Sequence, residues 1–379
     1  MSGIYIHVPF CRTRCLYCDF FSNTRMDKKA AWLAALVREI ELRRDYLQGV
    51  PPSTLYFGGG TPSQLDESDL RTIFDALDRC FDLSQLTEVT LEANPDDLTP
   101  DYIAMLRRLP FNRLSMGVQS FDDADLRFLN RRHDRRRALE AVKDCQAAGF
   151  ENISIDLMYG LPGQTIAGWQ ANVRQAIALG VPHISAYHLI YEEGTAMQRL
   201  LEQGKIEPVG EETSLAMFRL LISELKEAGF EHYEISNFAL PGRYSRHNTS
   251  YWQQTPYLGL GPGAHSFDGL RTRHYNPGAL DDYTAAYNDA EPHLYIEEER
   301  LSEDDCYNEA VMTGLRTMWG LDLRLVGERF GQARLDYCLR MAAPHIKEGT
   351  LTREGDRLRL TPEGIFISDG IMADLVYVD

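Results

Sequence analysis

The chain has 379 residues, 44% hydrophobic and 25% charged, a balance that excludes a disordered, collagen-like or coiled-coil protein and suits two domains or one large one with an appendage. A formal net charge of −17 repels phosphate backbones and anionic headgroups, which argues against nucleic acid as a partner and against electrostatic membrane anchoring. No apolar run approaches the roughly 20 residues that span a bilayer, and MSGIYIHVPFC lacks the basic start and apolar core of a signal peptide, so a reducing cytoplasm is the expected location.

Strand and helix signals alternate over the first two-thirds of the chain. Residues 3–7 read as a strand, 30–47 as an amphipathic helix, and 54–57 as a strand running into Gly58-Gly59-Gly60. Residues 65–80 read as a helix, 88–93 as a strand, 100–109 as a helix and 113–118 as a strand. A helix over 135–148, a strand over 153–157, a helix over 166–179 and a strand over 183–189 complete about six β–α units. The alternation predicts parallel strands, either in an open doubly wound sheet or in a partial (β/α)6 TIM-like barrel, with chemistry at the C-terminal strand ends. Residues 1–236 make up this part. Residues 237–295, rich in Gly, Pro, Tyr and His, read as strands and loops covering the barrel mouth. Residues 296–379 read as a small α/β module: helices over 304–318, 324–330, 335–348 and 365–375, and a β-hairpin turning at Gly355-Asp356. The pattern is winged-helix-like, but the net charge argues against DNA binding.

Three of the seven cysteines, Cys11, Cys15 and Cys18, fall within eight residues in a C-x3-C-x2-C spacing. Buried structural thiols are one explanation, and zinc is another, although zinc normally wants four Cys or His ligands. Three thiolates on one short loop suit a [4Fe–4S] cluster with one iron left open to substrate or cofactor. The remaining four, Cys80, Cys145, Cys306 and Cys338, lie in helical apolar stripes and read as core.

At this loop, with Tyr17 just before the third cysteine, the sequence resembles the radical S-adenosylmethionine (SAM) enzymes. The segments YIHVPFC, FGGGTPS, EANP, SMGVQSF, LNRRH and DLMYGLPGQT narrow the resemblance to the oxygen-independent coproporphyrinogen III oxidase-like group. The resemblance implies a cluster on Cys11, Cys15 and Cys18, with SAM chelating the open iron. It implies that Tyr5, Gly59, Gly60, Thr61 and Glu92 bind SAM, and that Gln119, Arg131 and Asp156 line the adjacent site, where the true dehydrogenase holds a second SAM.

Two features depart from the dehydrogenase. A fourth cysteine of its loop is replaced by Phe20, and its extension before the first strand has no counterpart ahead of Tyr5. Both match a haem-chaperone subgroup, as does His247-Asn248-Thr249-Ser250-Tyr251-Trp252, the H-N-x-x-Y-W pattern associated there with haem. His247 is then the expected iron ligand, with Cys or Tyr as alternatives, and Asn248, Tyr251 and Trp252 join it in the haem site. A packed loop with a hydrogen-bonded histidine is the competing explanation. His265, in a Gly-rich turn, is a further pocket candidate. The resemblance implies haem as cargo, respiratory cytochromes in the membrane as acceptors, and SAM cleavage that is absent, slow or regulatory, so no catalytic residue is assigned. A homodimer is compatible with an exposed cluster. The alternatives are radical decarboxylation of coproporphyrinogen III to protoporphyrinogen IX, or radical SAM chemistry on another substrate.

Overall fold

Six segments with aliphatic side chains at every second position form parallel strands in the computed structural model, which describes residues 2–378. They are β1 (Gly3–Val8), β2 (Thr54–Gly59), β3 (Glu88–Ala93), β4 (Arg113–Gln119), β5 (Asn152–Tyr159) and β6 (His183–His188). They pair in sequence order, as a run of β–α units should. The connecting helices are α1 (Lys29–Leu42), α2 (Glu67–Cys80), α3 (Pro100–Leu106), α4 (Asp123–Phe128), α5 (Arg135–Ala147) and α6 (Ile166–Ala178). Their starts are written in the sequence: Asp66, Thr99, Asp122, Asp134 and Thr165 each accept a hydrogen bond from a backbone N–H in the first turn. The first helix stops at Leu42, five residues before its apolar period does.

Further strands at both edges, antiparallel except for the one beside β1, complete a 12-stranded sheet. After α7 (Ala196–Glu202) and α8 (Glu211–Glu227), strands β7 (Glu231–Glu234) and β8 (Asn237–Ala239) add to β6. Then α9 (Arg246–Trp252) leads to β9 (Tyr257–Leu260), a seventh parallel strand set beside β1. Strands β10 (His265–Phe267), β11 (Thr272–Tyr275), the helix α10 (Leu280–Asn288) and β12 (Glu297–Arg300) follow.

Residues 237–295 therefore extend the sheet, and two helices lie where only strands and loops are expected. The motif helix α9 is not at the mouth. It packs against the opposite end, where the Glu88 carboxylate, at the start of β3, accepts from the N–H groups of Arg246 and His247. Gly and Pro content signals turns but not which end of a barrel they close. The extension is tied to α1 by buried Glu39, whose carboxylate accepts from Gly261 N–H, Asn276 and Tyr283 at 2.7–2.8 Å and from Arg43 at 3.2 Å.

The C-terminal module comprises α11 (Glu303–Leu315), β13 (Leu321–Asp322), α12 (Leu323–Glu348), β14 (Leu351–Glu354), β15 (Arg357–Leu360), α13 (Pro362–Ile365) and α14 (Ser368–Leu375). It has its own core around Tyr307, Val311, Val326, Leu358 and Leu375. Gly331, at φ 81°, breaks α12 into the two helices its sequence suggests, and the hairpin turns at Gly355-Asp356. Cys145, Cys306 and Cys338 are core residues and Cys80 is half-buried. No helix among the described residues is long and apolar enough to cross a membrane.

Candidate functional site

The Cys11–Cys18 loop leaves the C-terminal end of β1 and is fastened across the strand ends by backbone bonds. Cys11 N–H donates to Asn23, Leu16 N–H to Leu129, and Met197 N–H to Leu16. Thr61 Oγ1 donates to Cys11 Sγ at 3.3 Å, and Arg131 Nη1 donates to Cys15 Sγ at 3.3 Å. The same guanidinium donates to Asn94 Oδ1 and to the Gly117 carbonyl at 2.5 Å, so it links the cysteine loop to the ends of β3 and β4. No three His, Cys, Asp or Glu side chains among the described residues meet as a metal-binding group. The donor set nevertheless fits a cluster: three soft thiols and hydrogen-bond donors to two of them, on a loop with no fourth sulfur ligand. Phe20, two residues after Cys18, is 65% exposed.

Burial raises the Cys11 thiol above its ordinary value and pushes Cys18 up to about 11, with the neighbouring thiols adding to it. Both are protonated at neutral pH until metal displaces the protons. Alkylation of Cys18 in cluster-free protein is therefore expected to accelerate about tenfold per pH unit between pH 8 and 10. Peptide mapping by mass spectrometry measures it, and a rate that levels off below pH 9 contradicts the assignment.

Behind the loop, the strands present two chemically different faces. Ile4, Ile6, Leu55, Phe57, Leu91, Leu114 and Ile155 pack outward into the aliphatic core. Tyr5, His7, Thr54, Tyr56, Glu92, Arg113, Ser154, Asp156, His183 and Ser185 occupy the alternate positions. Glu92 accepts from Tyr56 OH at 2.8 Å and from Gly59 N–H at 3.2 Å. Tyr5 OH donates to His7 Nδ1 at 3.1 Å, because His7 Nε2–H is committed to the Phe21 carbonyl at 2.8 Å. Burial pushes Glu92 up to about 7 and Asp156 up to about 6. Two of the glycines are also steric necessities. A Cβ on Gly59 (φ 106°) meets the His7 ring at 2.6 Å, and one on Gly60 meets the Val8 and Phe10 carbonyls at 2.9 Å.

Gln119 ends β4 at φ 67°, a left-handed conformation uncommon for a side-chain-bearing residue, beside an irregularity in the β4–β5 register. Asp156 lies within β5, paired with Ser185. The structure thus gathers Tyr5, Gly59, Gly60, Thr61, Glu92, Gln119, Arg131 and Asp156 around one mouth and the polar lumen below it. Sequence reasoning missed His7, Arg113 and His183. Their signal is the strict alternation in GIYIHV, RLSMGV and HISAYH, since strands buried on both faces normally read as continuous apolar runs.

His247 is at the far end of that lumen and 1% exposed. Its Nδ1 is bonded to Thr54 Oγ1 and its Nε2 to Tyr251 OH, both at 2.8 Å. Its ring stacks on Tyr56 at 5.0 Å, and burial lowers it to about 3, so it is neutral. Neither nitrogen has a lone pair open to iron in this arrangement. Asn248 N–H donates to Ser245 Oγ. Trp252 lies under the Arg316 guanidinium, 4.4 Å from its ring centre, at the wall of a cavity of about 350 Å³ shared with Trp319 and the C-terminal module. His265 is exposed and stacked on Tyr275.

Comparison with known proteins identifies the family to which this fold belongs. Residues 5–176 match the family model described as the radical SAM superfamily, and residues 301–367 match that of the HemN C-terminal domain. The chain is similar to the heme chaperone HemW of Mycobacterium tuberculosis (35% identity, 99% of this chain and 94% of that one). HemW of Bacillus subtilis is 34% identical, with 88% of each chain covered. The mitochondrial radical S-adenosyl methionine domain-containing protein 1 of Bos taurus is 32% identical, over 99% of this chain and 87% of that one. Among solved structures, the coproporphyrinogen III oxidase HemN of Escherichia coli superposes with a TM-score of 0.85 at 26% identity, over 99% of this chain and 90% of that one. With a seven-stranded parallel arc, a three-cysteine loop at its mouth, a HemN-type C-terminal module and more than 30% identity to HemW proteins along nearly its whole length, the chain belongs to the HemW family of the radical SAM superfamily.

Proposed function

We propose that the protein is a haem chaperone that binds haem and passes it to acceptor haemoproteins, with respiratory cytochromes in the membrane as the expected recipients. The observation that carries this reading is the 32–35% identity, over nearly the full length, to proteins named heme chaperone HemW. Phe20, at the place of the dehydrogenase's fourth cysteine, supports it. Cys11, Cys15 and Cys18 would hold a [4Fe–4S] cluster, which with SAM on its open iron supplies one-electron chemistry. Thr61 and Arg131 would stabilise negative charge on two of the thiolates through the bonds to Cys11 and Cys15. Tyr5, Gly59, Gly60 and Glu92 would receive SAM at the mouth, with Gln119 and Asp156 lining the space beside it.

A second reading, oxidative decarboxylation of coproporphyrinogen III, is favoured by the close superposition on HemN. One experiment separates them. The anaerobically reconstituted protein is supplied with SAM, reductant and coproporphyrinogen III, and a parallel sample is titrated with haemin. About one haem bound per chain with no porphyrin turnover is the expected result. Many turnovers to protoporphyrinogen IX overturn the chaperone assignment.

A further inference from the structure

Asn94 follows directly on β3, and its side chain lies between the two groups that donate to the cysteine loop. Its Oδ1 accepts from Arg131 Nη2 at 2.5 Å, and its Nδ2 donates to Thr61 Oγ1 at 3.4 Å. Thr61 Oγ1 donates in turn to Cys11 Sγ, and Arg131 Nη1 to Cys15 Sγ, both at 3.3 Å. One amide thus touches both donors to sulfur.

Chemistry fixes the direction of every bond in this chain. A guanidinium has no acceptor, so the amide turns its oxygen to Arg131 and its NH2 to Thr61. The Thr61 hydroxyl accepts there, and its single proton is left for Cys11. The opposite amide orientation would set NH2 against the guanidinium and draw the Thr61 proton to the amide oxygen, away from sulfur. The charge on Arg131 therefore polarises both sulfur contacts in the same sense, directly at Cys15 and through the amide and the hydroxyl at Cys11. Hydrogen bonds aligned in this way strengthen one another.

The surroundings hold Asn94 in place. Its backbone N–H donates to Ser63 Oγ at 3.3 Å, and that buried hydroxyl donates to Asp97 Oδ2 at 2.8 Å. Gln64 Nε2 donates to the same Asp97 oxygen at 2.6 Å, and Arg132 Nη2 to the other at 3.4 Å. Arg12, inside the cysteine loop, donates to Gln64 Oε1 at 2.7 Å, so the network returns to the loop it supports.

We infer that Asn94 is a positioning residue: it aims the Thr61 hydroxyl at Cys11 and the Arg131 guanidinium at Cys15, and so raises the reduction potential of a cluster held there. Hydrogen bonds to the sulfurs favour the reduced, more negative state of an iron–sulfur cluster. The inference rests on the assignment of a cluster to the three cysteines and needs nothing from haem.

The test is a reductive titration of the reconstituted full chain, followed by electron paramagnetic resonance, on wild type, Asn94→Asp, Thr61→Val and the double variant. Asn94→Asp keeps the shape and the acceptor for Arg131, but it cannot donate to Thr61 and draws the hydroxyl proton to itself. Its added charge lowers the potential in either background, and the relay adds a further fall only where the Thr61 hydroxyl is present. At a fixed applied potential, Asn94→Asp is expected to cut the ratio of reduced to oxidised cluster at least about threefold more in the wild-type background than in Thr61→Val. Thr61→Ser is expected to keep the wild-type potential. Equal falls in the two backgrounds remove Asn94 from the relay and leave the cluster assignment standing. If Asn94→Asp takes up no cluster, Asn94→Leu in the same two backgrounds decides. If neither takes it up while Thr61→Val does, Asn94 serves assembly and the inference fails. Wild-type protein that binds no iron and sulfide overturns both.

Discussion

Replacing His247 by alanine is expected to cost about 3 kcal/mol of folding stability, whatever it does to haem. The ring is buried and stacked on Tyr56 at 5.0 Å, and it satisfies Thr54 and Tyr251 at once. Truncation opens a cavity at the barrel bottom and leaves both hydroxyls without their partner in a site closed to water. The backbone there is also pinned, because Glu88 accepts from Arg246 and His247 N–H. Urea unfolding followed by circular dichroism, at matched cluster content, measures the loss. Tyr251→Phe is the milder companion: it removes one hydroxyl and is expected to cost about 1 kcal/mol with haem binding unchanged. Loss of haem in His247→Ala would thus report on the fold before it reports on ligation. Unaltered stability together with lost haem binding would return His247 to the iron.

That example marks the boundary of what the sequence discloses. The six β–α units are legible because each strand's apolar residues and the caps of α2 to α6 are local signals, as Asp66 with Asp69 at α2 illustrates. The cysteine loop is legible because its spacing is a local constraint on three ligands. The position of α9 is not, because it depends on Glu88, some 158 residues away in sequence, reaching its N-terminus. A motif of His, Asn, Tyr and Trp has the same composition whether it faces a porphyrin or plugs a barrel. The seventh parallel strand was hidden for a related reason: β9 pairs with β1 from the far side of the chain, through a register that no neighbouring residue specifies. The polar lumen lies between these cases. Its alternation was present in every strand, but it gains meaning only once both faces are known to be buried.

Glu92 carries the second large expectation, a stability that declines as pH rises. Its carboxyl is pushed from an ordinary 4.5 up to about 7, chiefly by burial and further by Asp156, while Tyr56 OH and Gly59 N–H pull it back. Between these values the folded chain keeps a proton that the unfolded chain has released. The stabilising contribution is therefore complete below about 4.5 and is lost as pH climbs through about 7. A difference of this size corresponds to something on the order of 3 kcal/mol. In SAM-free protein, Glu92→Gln is expected to match wild type at pH 4.5 and to exceed it in stability by up to about 3 kcal/mol at pH 8, as read by urea unfolding across the range. The same group links stability to ligand. A cationic molecule at the mouth favours the ionised carboxylate, so SAM binding near pH 6.5 is expected to release a proton, and affinity should rise with pH in wild type. Glu92→Gln should bind SAM at least tenfold more weakly with a flattened pH profile, by calorimetry in buffers of different ionisation enthalpy. A variant that is no more stable at pH 8 shows that Glu92 ionises in the folded chain without cost. One that binds SAM as tightly as wild type removes Glu92 from the site.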